Sequence, residues 1–202
     1  MYITECDQYR ELMNKAQVTD SRIVTKTNFL PMHQEYIFNK GYKDFILYFG
    51  RFAREKGILT LLKAHKKSGC KYHLLIVGAG PMKEKIVNYI EENKLTNIEL
   101  PGPIYGQDME KIIEEARTII VPSEWYENCP YVLLQSLAKG KVVIASRIGG
   151  LPELIEDGDT GFLFEAGNAD DLKLKIEHVF SMEIDKYEAM SEHISRVAYE
   201  KH

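Results

Sequence analysis

Five short apolar runs recur along the middle of the chain: "FILYF" (45–49), "HLLIV" (73–77), "NIEL" (97–100), "RTIIVP" (117–122) and "KVVIAS" (141–146). Near-continuous apolar runs of this length are typical of strands buried on both faces of a sheet. Between them the apolar positions change to a helical period. Ile58, Leu61, Leu62 and His65 stand at i, i+3, i+4 and i+7, as do Met109, Ile112, Ile113 and Ala116. His65 falls on such a stripe and reads as a helix residue at the edge of the core. A further helix is expected from about Pro130 to Lys139, stopped by Gly140. Strands alternating with helices predict an α/β fold, a Rossmann-like parallel sheet with helices on both faces.

Residues 1–40 precede the regular pattern and hold a short helix around Tyr9 to Ala16 and a strand in "RIVTKTNF". From about Asn168 the chain is helical and highly charged. The expected organisation is a lead-in over 1–40, a main domain over 41–182 and a helical tail over 183–202.

Composition narrows the picture. A chain of 202 residues, 45% of them apolar, suits one α/β core and is not disordered. The net charge of −4 gives no support to a nucleic-acid surface, so any phosphate site must be local. Three cysteines without a CxxC pair argue against a disulfide framework or structural zinc. The six histidines lack metal-ligand spacing, and no metal site is expected. The N-terminus has no apolar signal core, and no run approaches the roughly 20 apolar residues of a membrane helix. A soluble, cytoplasmic protein is expected.

Candidate chemistry lies where apolar runs end. "LLIVGAGP" delivers a strand to Gly78-Ala79-Gly80. A dinucleotide fold would hold a pyrophosphate there and place an acid roughly 20 positions on; Glu99 stands near that distance, at the end of the next strand. The third glycine of that fingerprint is missing, because Lys83 occupies its place. In "YFGRFAREKG", Gly50 ends a strand, and Arg51 and Lys56 follow just before a helix. Two cations at the carboxyl end of a parallel strand suit a pyrophosphate, or they are ordinary surface charge. In "VPSEWYENCPYVLLQSLAKGK", Glu127 precedes a helix, where a carboxylate can accept from ligand hydroxyls or cap the helix. Gly149-Gly150 permits close backbone approach to a ligand, and Asp157-Gly158-Asp159 reads as turn chemistry rather than a metal motif.

Four stretches, "GRFAREKG", "LLIVGAGP", "VPSEWYENCPYVLLQSLAKGK" and "VIASRIGGLPELIEDGDTGFLF", stand in the order and spacing of the donor-nucleotide domain of GT-B glycosyltransferases. They resemble the large retaining family 4, over about Asp44 to Phe180. The resemblance implies one half of a GT-B fold and a nucleoside-diphosphate sugar as donor, with no further cofactor. Arg51 and Lys56 would hold the diphosphate. Gly50, Gly78 and Gly80 would let the backbone pass near the nucleotide, and Ile104 would edge the base. Glu127 matches the first acid of the family's E-x7-E motif, which contacts the donor sugar. Asn128, Cys129, Pro130, Tyr131 and Val132 would line the sugar and phosphates. Gln135 stands in place of the second acid, which accepts from the ribose hydroxyls, and an amide offers one acceptor oxygen. Pro130 stands where many members have glycine, removing one backbone N–H.

The implied reaction is transfer of a sugar to an acceptor hydroxyl with retention. "RIVTKTNFLP" resembles the family's interdomain strand and turn, so an acceptor domain, for a sugar or lipid-linked sugar, is expected before residue 1. Membrane association is expected only through parts absent from this chain, and transfer is expected to fail without them. Two other readings stay open: a module that binds nucleotide-sugar without turnover, and a nicotinamide- or flavin-dependent oxidoreductase built on Gly78-Ala79-Gly80.

Overall fold

The computed structural model describes residues 2–19, 22–26, 28 and 41–201. The elements run, in chain order, β1 (Tyr2–Thr4), α1 (Asp7–Lys15), β2 (Ile23–Thr25), β3 (Lys43–Arg51), a 3-10 turn (Arg54–Lys56), α2 (Ile58–Lys67), β4 (His73–Ala79) and α3 (Lys83–Glu92). They continue with β5 (Ile98–Gly102), α4 (Gly106–Glu115), β6 (Ala116–Val121), α5 (Tyr131–Ala138), β7 (Val142–Ser146), α6 (Leu151–Leu154), β8 (Phe162–Phe164), α7 (Ala169–Ser181) and α8 (Ile184–Lys201). The expected turn at Phe29–Pro31 lies outside the described residues.

β3 to β8 form one parallel sheet in the order β5-β4-β3-β6-β7-β8. Counted along the chain within that sheet, the order is 3-2-1-4-5-6, the doubly wound arrangement with its switch point between β3 and β6. Every residue of β6 and β7 is buried, so both faces of the sheet are covered. The five apolar runs therefore gave β3 to β7, and the helical stripes α2 and α4; the short edge strand β8 was not among the expected strands. One stripe overran its element: Ala116 is already the first residue of β6, since a buried position satisfies either period. His65 is fully buried rather than at the core edge. Its Nε2 donates to the Thr96 carbonyl at 2.9 Å, and burial holds its pKa below the ordinary histidine value.

At the amino end of the sheet, Arg117 of β6 is buried and paired with Asp44 at 2.6 Å. Its guanidinium donates to the carbonyls of Val179, Phe180 and Met182 and lies against the rings of Tyr42, Phe180 and Tyr187. It thus supplies donors to carbonyls at and just past the end of α7, where Val179 also accepts from the Met182 N–H at 3.4 Å. α8 packs along α5. Its Ser191 and Ser195 hydroxyls donate to the carbonyls of Gly140 and Ala138, and Tyr187, Ile194 and Ala198 join the core.

β1 and β2 form a separate two-stranded parallel sheet with α1 between them. This segment touches the main domain at the loop after β6 and at α6. The Glu153 carboxylate accepts from the N–H groups of Asp7 and Gln8, both at 2.8 Å, and so sits on the positive end of α1. The Asn28 amide donates to the Cys129 carbonyl at 2.6 Å.

Candidate active site

The carboxyl ends of β3 and β6 bound the switch point, and the loops leaving them are held by close backbone contact. Gly57, between the 3-10 turn and α2, has φ +64°, and a Cβ on it would stand 1.8 Å from the Pro122 carbonyl oxygen. Only glycine lets α2 start against the loop after β6. Glu124 N–H donates to the Glu55 carbonyl across the same seam at 2.8 Å. From the other side, Gly149 and Gly150 press on the backbone of Glu127 and Asn128, and Gly150 N–H donates to the Glu127 carbonyl at 2.6 Å. The glycine pair, expected to admit a ligand, instead admits the backbone of the loop after β6.

These seams bring Lys56 and Glu127 together across 71 positions of sequence, with Nζ to Oε1 at 2.5 Å. Their side chains are 29% and 16% exposed, so the pair is shielded from water on most sides. Ser123 donates to the same Glu127 oxygen at 2.8 Å. Glu127 does not cap α5, whose N-cap is Pro130 without a side-chain bond, so the capping alternative falls. Arg51, the last residue of β3, pairs with Glu55 in the 3-10 turn that follows, and the pair is exposed. Beneath them Tyr48 donates to the Arg51 carbonyl at 3.0 Å. Burial, then the charges of Glu127 and Glu55, hold its phenol pKa well above the ordinary value.

Two adjoining cavities open here. The first, about 560 Å³, is lined by Gly50, Arg51, Gly78, Ile104, Tyr131, Val132 and Gln135 among the expected residues, together with Tyr105, Met109 and Glu110. The second, about 330 Å³, is lined by Lys56, Glu127 and Pro130, with Tyr48 and Ser123. Phe49, Gly50, Arg51 and Val132 belong to both.

Three expected residues line neither cavity. Gly80 is closed off: a Cβ there would meet the backbone of Phe52 at 2.4 Å, and Met82 N–H donates to the Phe52 carbonyl. The Gly-rich turn therefore docks the loop after β3, and the start of α3 is no open phosphate cradle. Asn128 and Cys129 face the N-terminal segment instead, with the Cys6 thiol 4.0 Å from the Asn128 amide oxygen. Glu99 is the second residue of β5, not its end, and pairs with His73 at the start of β4, away from the Gly-rich turn. The dinucleotide arrangement is not assembled.

The Asp157–Asp159 turn is tied to Arg147 at 2.6 Å and His193 at 3.0 Å. No group of three or more His, Cys, Asp or Glu among the described residues is placed to hold a metal, and no described helix is long and apolar enough to cross a membrane. Sequence reasoning missed Tyr48 and Glu110 at the site. Neither stands in a strand-end loop, where the search was directed.

A 3-2-1-4-5-6 sheet with a two-part cleft at its switch point is the doubly wound architecture in which ligands bind at the carboxyl ends of the strands. The Anabaena protein HepE, solved in complex with UDP, superposes with a TM-score of 0.85 at 17% identity, over 98% of this chain and 58% of that one. The model of the family Glycosyl transferases group 1 matches residues 33–197, and the chain belongs to that family as a glycosyltransferase domain. An uncharacterised glycosyltransferase of Methanocaldococcus jannaschii is 33% identical over 152 residues, 75% of this chain and 42% of that protein. The sulfoquinovosyl transferase of Arabidopsis thaliana is 30% identical over 139 residues, 66% of this chain and 26% of that protein. The chain spans less than half the length of either curated relative.

Proposed function

We propose that the chain is the donor-binding domain of a retaining family 4 glycosyltransferase. The carrying observation is the pair of cavities joined at Gly50-Arg51. The larger has an apolar and aromatic wall for a nucleoside; the smaller holds a cation–carboxylate pair suited to a sugar. A diphosphate spanning the junction meets Arg51 directly and Lys56 just beyond it. Solved neighbours of this fold carry UDP, UDP-glucose, or UDP with a sugar, which supports a nucleotide-sugar donor.

On this reading Arg51 and Lys56 offset the negative charge that collects on the diphosphate as the glycosidic bond breaks. Glu127 accepts from donor-sugar hydroxyls, and Ser123 and Lys56 hold its carboxylate in place. Bound diphosphate competes with Glu127 for Lys56, so donor binding rearranges the ion pair. The lead-in that carries β1, α1 and β2 is the end of an acceptor domain, and transfer to an acceptor hydroxyl needs that domain. Donor binding by this domain on its own would neither exclude water nor place an acceptor.

The test is calorimetric titration of the purified chain with UDP, GDP and ADP beside NADH. Binding of one or more nucleoside diphosphates without NADH is expected. Binding of NADH alone, or of none, overturns the reading, and robust sugar transfer by the chain overturns the requirement for a second domain.

A further inference from the structure

The first cavity holds two charged residues of opposite sign in its lining, Arg51 and Glu110. Glu110 lies on α4, outside every motif that identifies the family. Its placement is enforced from the facing helix. Lys139, the C-cap of α5, stands four residues after Gln135 and donates its N–H to the Gln135 carbonyl at 3.3 Å, so it leaves the helix one turn beyond Gln135. The Lys139 ammonium bridges Glu110 Oε2 at 2.8 Å and Glu114 Oε1 at 2.6 Å, and its side chain is 24% exposed. The bridge draws the Glu110 carboxylate to the face of α5 that carries Gln135, and both line the cavity.

We propose that Glu110 accepts the 2′ and 3′ hydroxyls of the nucleotide's ribose, alongside Gln135. The proposal rests on the nucleotide reading above. A vicinal diol presents two donors, and Gln135 offers one acceptor oxygen and an NH₂ group. A carboxylate offers about four lone-pair sites, so Oε2 can stay with Lys139 while hydroxyls are still accepted. The cavity is anchored at its other end by the Arg51 cation, so a bound nucleotide lies with phosphate toward Arg51 and sugar hydroxyls toward α4 and α5. Lys139 also tempers the charge that Glu110 brings near a diphosphate. The carboxylate missing from α5 is thus supplied by α4.

The wild type, Glu110→Gln and Glu114→Gln are titrated with UDP and with its 2′,3′-dideoxy form. If the panel above favours GDP or ADP, that nucleotide and its dideoxy form replace them. Glu114 shares the Lys139 bridge but does not line the cavity, so its variant reports any effect of the bridge alone. Glu110→Gln should weaken the ordinary nucleotide about tenfold and leave the dideoxy form within about twofold. Glu114→Gln should change neither. Equal weakening of both nucleotides by Glu110→Gln, no weakening, or the same loss in Glu114→Gln overturns the assignment of Glu110 alone. Failure of the wild type to bind any of the three nucleotides overturns the nucleotide reading, and the Glu110 role with it.

Discussion

Gly57→Ala is the sharpest perturbation of the seam that assembles the site. The residue has φ +64°, and a Cβ would sit 1.8 Å from the Pro122 oxygen. Gly69, at the other end of α2, is the internal control: its φ is +70° and nothing lies within 4 Å of a Cβ there. An alanine at either position carries the left-handed backbone penalty, about 1–2 kcal/mol, partly offset by lower entropy of the unfolded chain, about 0.4–1 kcal/mol. Gly69→Ala should therefore cost about 1 kcal/mol. At Gly57 the contact must open by more than about 1 Å to reach van der Waals distance, moving backbone rather than a flexible side chain; such overpacking adds about 1–3 kcal/mol. For a chain of this size each kcal/mol lowers Tm by roughly 2–4 °C. Gly57→Ala should thus melt about 2–12 °C below Gly69→Ala and weaken UDP binding, because Lys56 and Glu127 are both displaced. Thermal melts followed by circular dichroism, with titrations of the folded proteins, measure both. Equal melting temperatures for the two variants would refute the claim that this seam needs a glycine.

Arg51→Ala should reduce nucleoside diphosphate affinity by about 1.5–3 kcal/mol, as for bonds to charged groups, with Tm unchanged, since its exposed pair with Glu55 stabilises little. Lys56→Ala should match that loss and also lower Tm, because it strands a mostly buried Glu127; equal losses for bare nucleoside and diphosphate, in either variant, would sink the diphosphate role. Glu127→Ala should leave UDP binding intact or tighter, by freeing Lys56, while removing any added affinity of UDP-glucose; a parallel loss for both ligands counts against the sugar contact. Burial lowers the Lys141 ammonium from 10.5 to about 8, with Glu114 opposing and Lys139 reinforcing the shift. The unfolded chain therefore binds more protons between those values, and this group's contribution makes stability rise with pH across that window, by at most about 3 kcal/mol. Lys141→Met should abolish that rise in denaturant titrations; an unchanged pH profile would show that the ammonium is not desolvated in the fold.

The sheet was legible because parallel strands buried on both faces leave unmistakable apolar runs, as in Ile119–Val121 and Val142–Ile144. Arg51, Lys56 and Glu127 were legible as site candidates because the carboxyl ends of such strands are where ligands collect. What the sequence concealed was the partner of each residue. A glycine that admits a ligand reads the same as one that admits backbone, so the contacts of Gly80 with Phe52 and of Gly149 with Glu127 were out of reach. Lys56 and Glu127 were each found, but their pairing depends on three loops packing at once. Arg117 hid inside an apolar run, because a buried cation leaves no periodic signature. Glu110 stands beside the apolar stripe of Met109, Ile112 and Ile113, and nothing in its own neighbourhood marks that Lys139, 29 positions on, reaches it.

The glycine seams also bear on how this site can be moved between proteins. The stretch that carries Glu127 does not hold its own shape. It is moulded from one side by Gly57, 70 positions before Glu127, and from the other by Gly149 and Gly150, 22 and 23 positions after it. A designer who grafts only "SEWYENCP" onto another scaffold transplants the carboxylate without its mould. The portable unit is discontinuous, three segments taken together, and a recombination library that breaks the chain between them should yield folded but donor-blind chimeras.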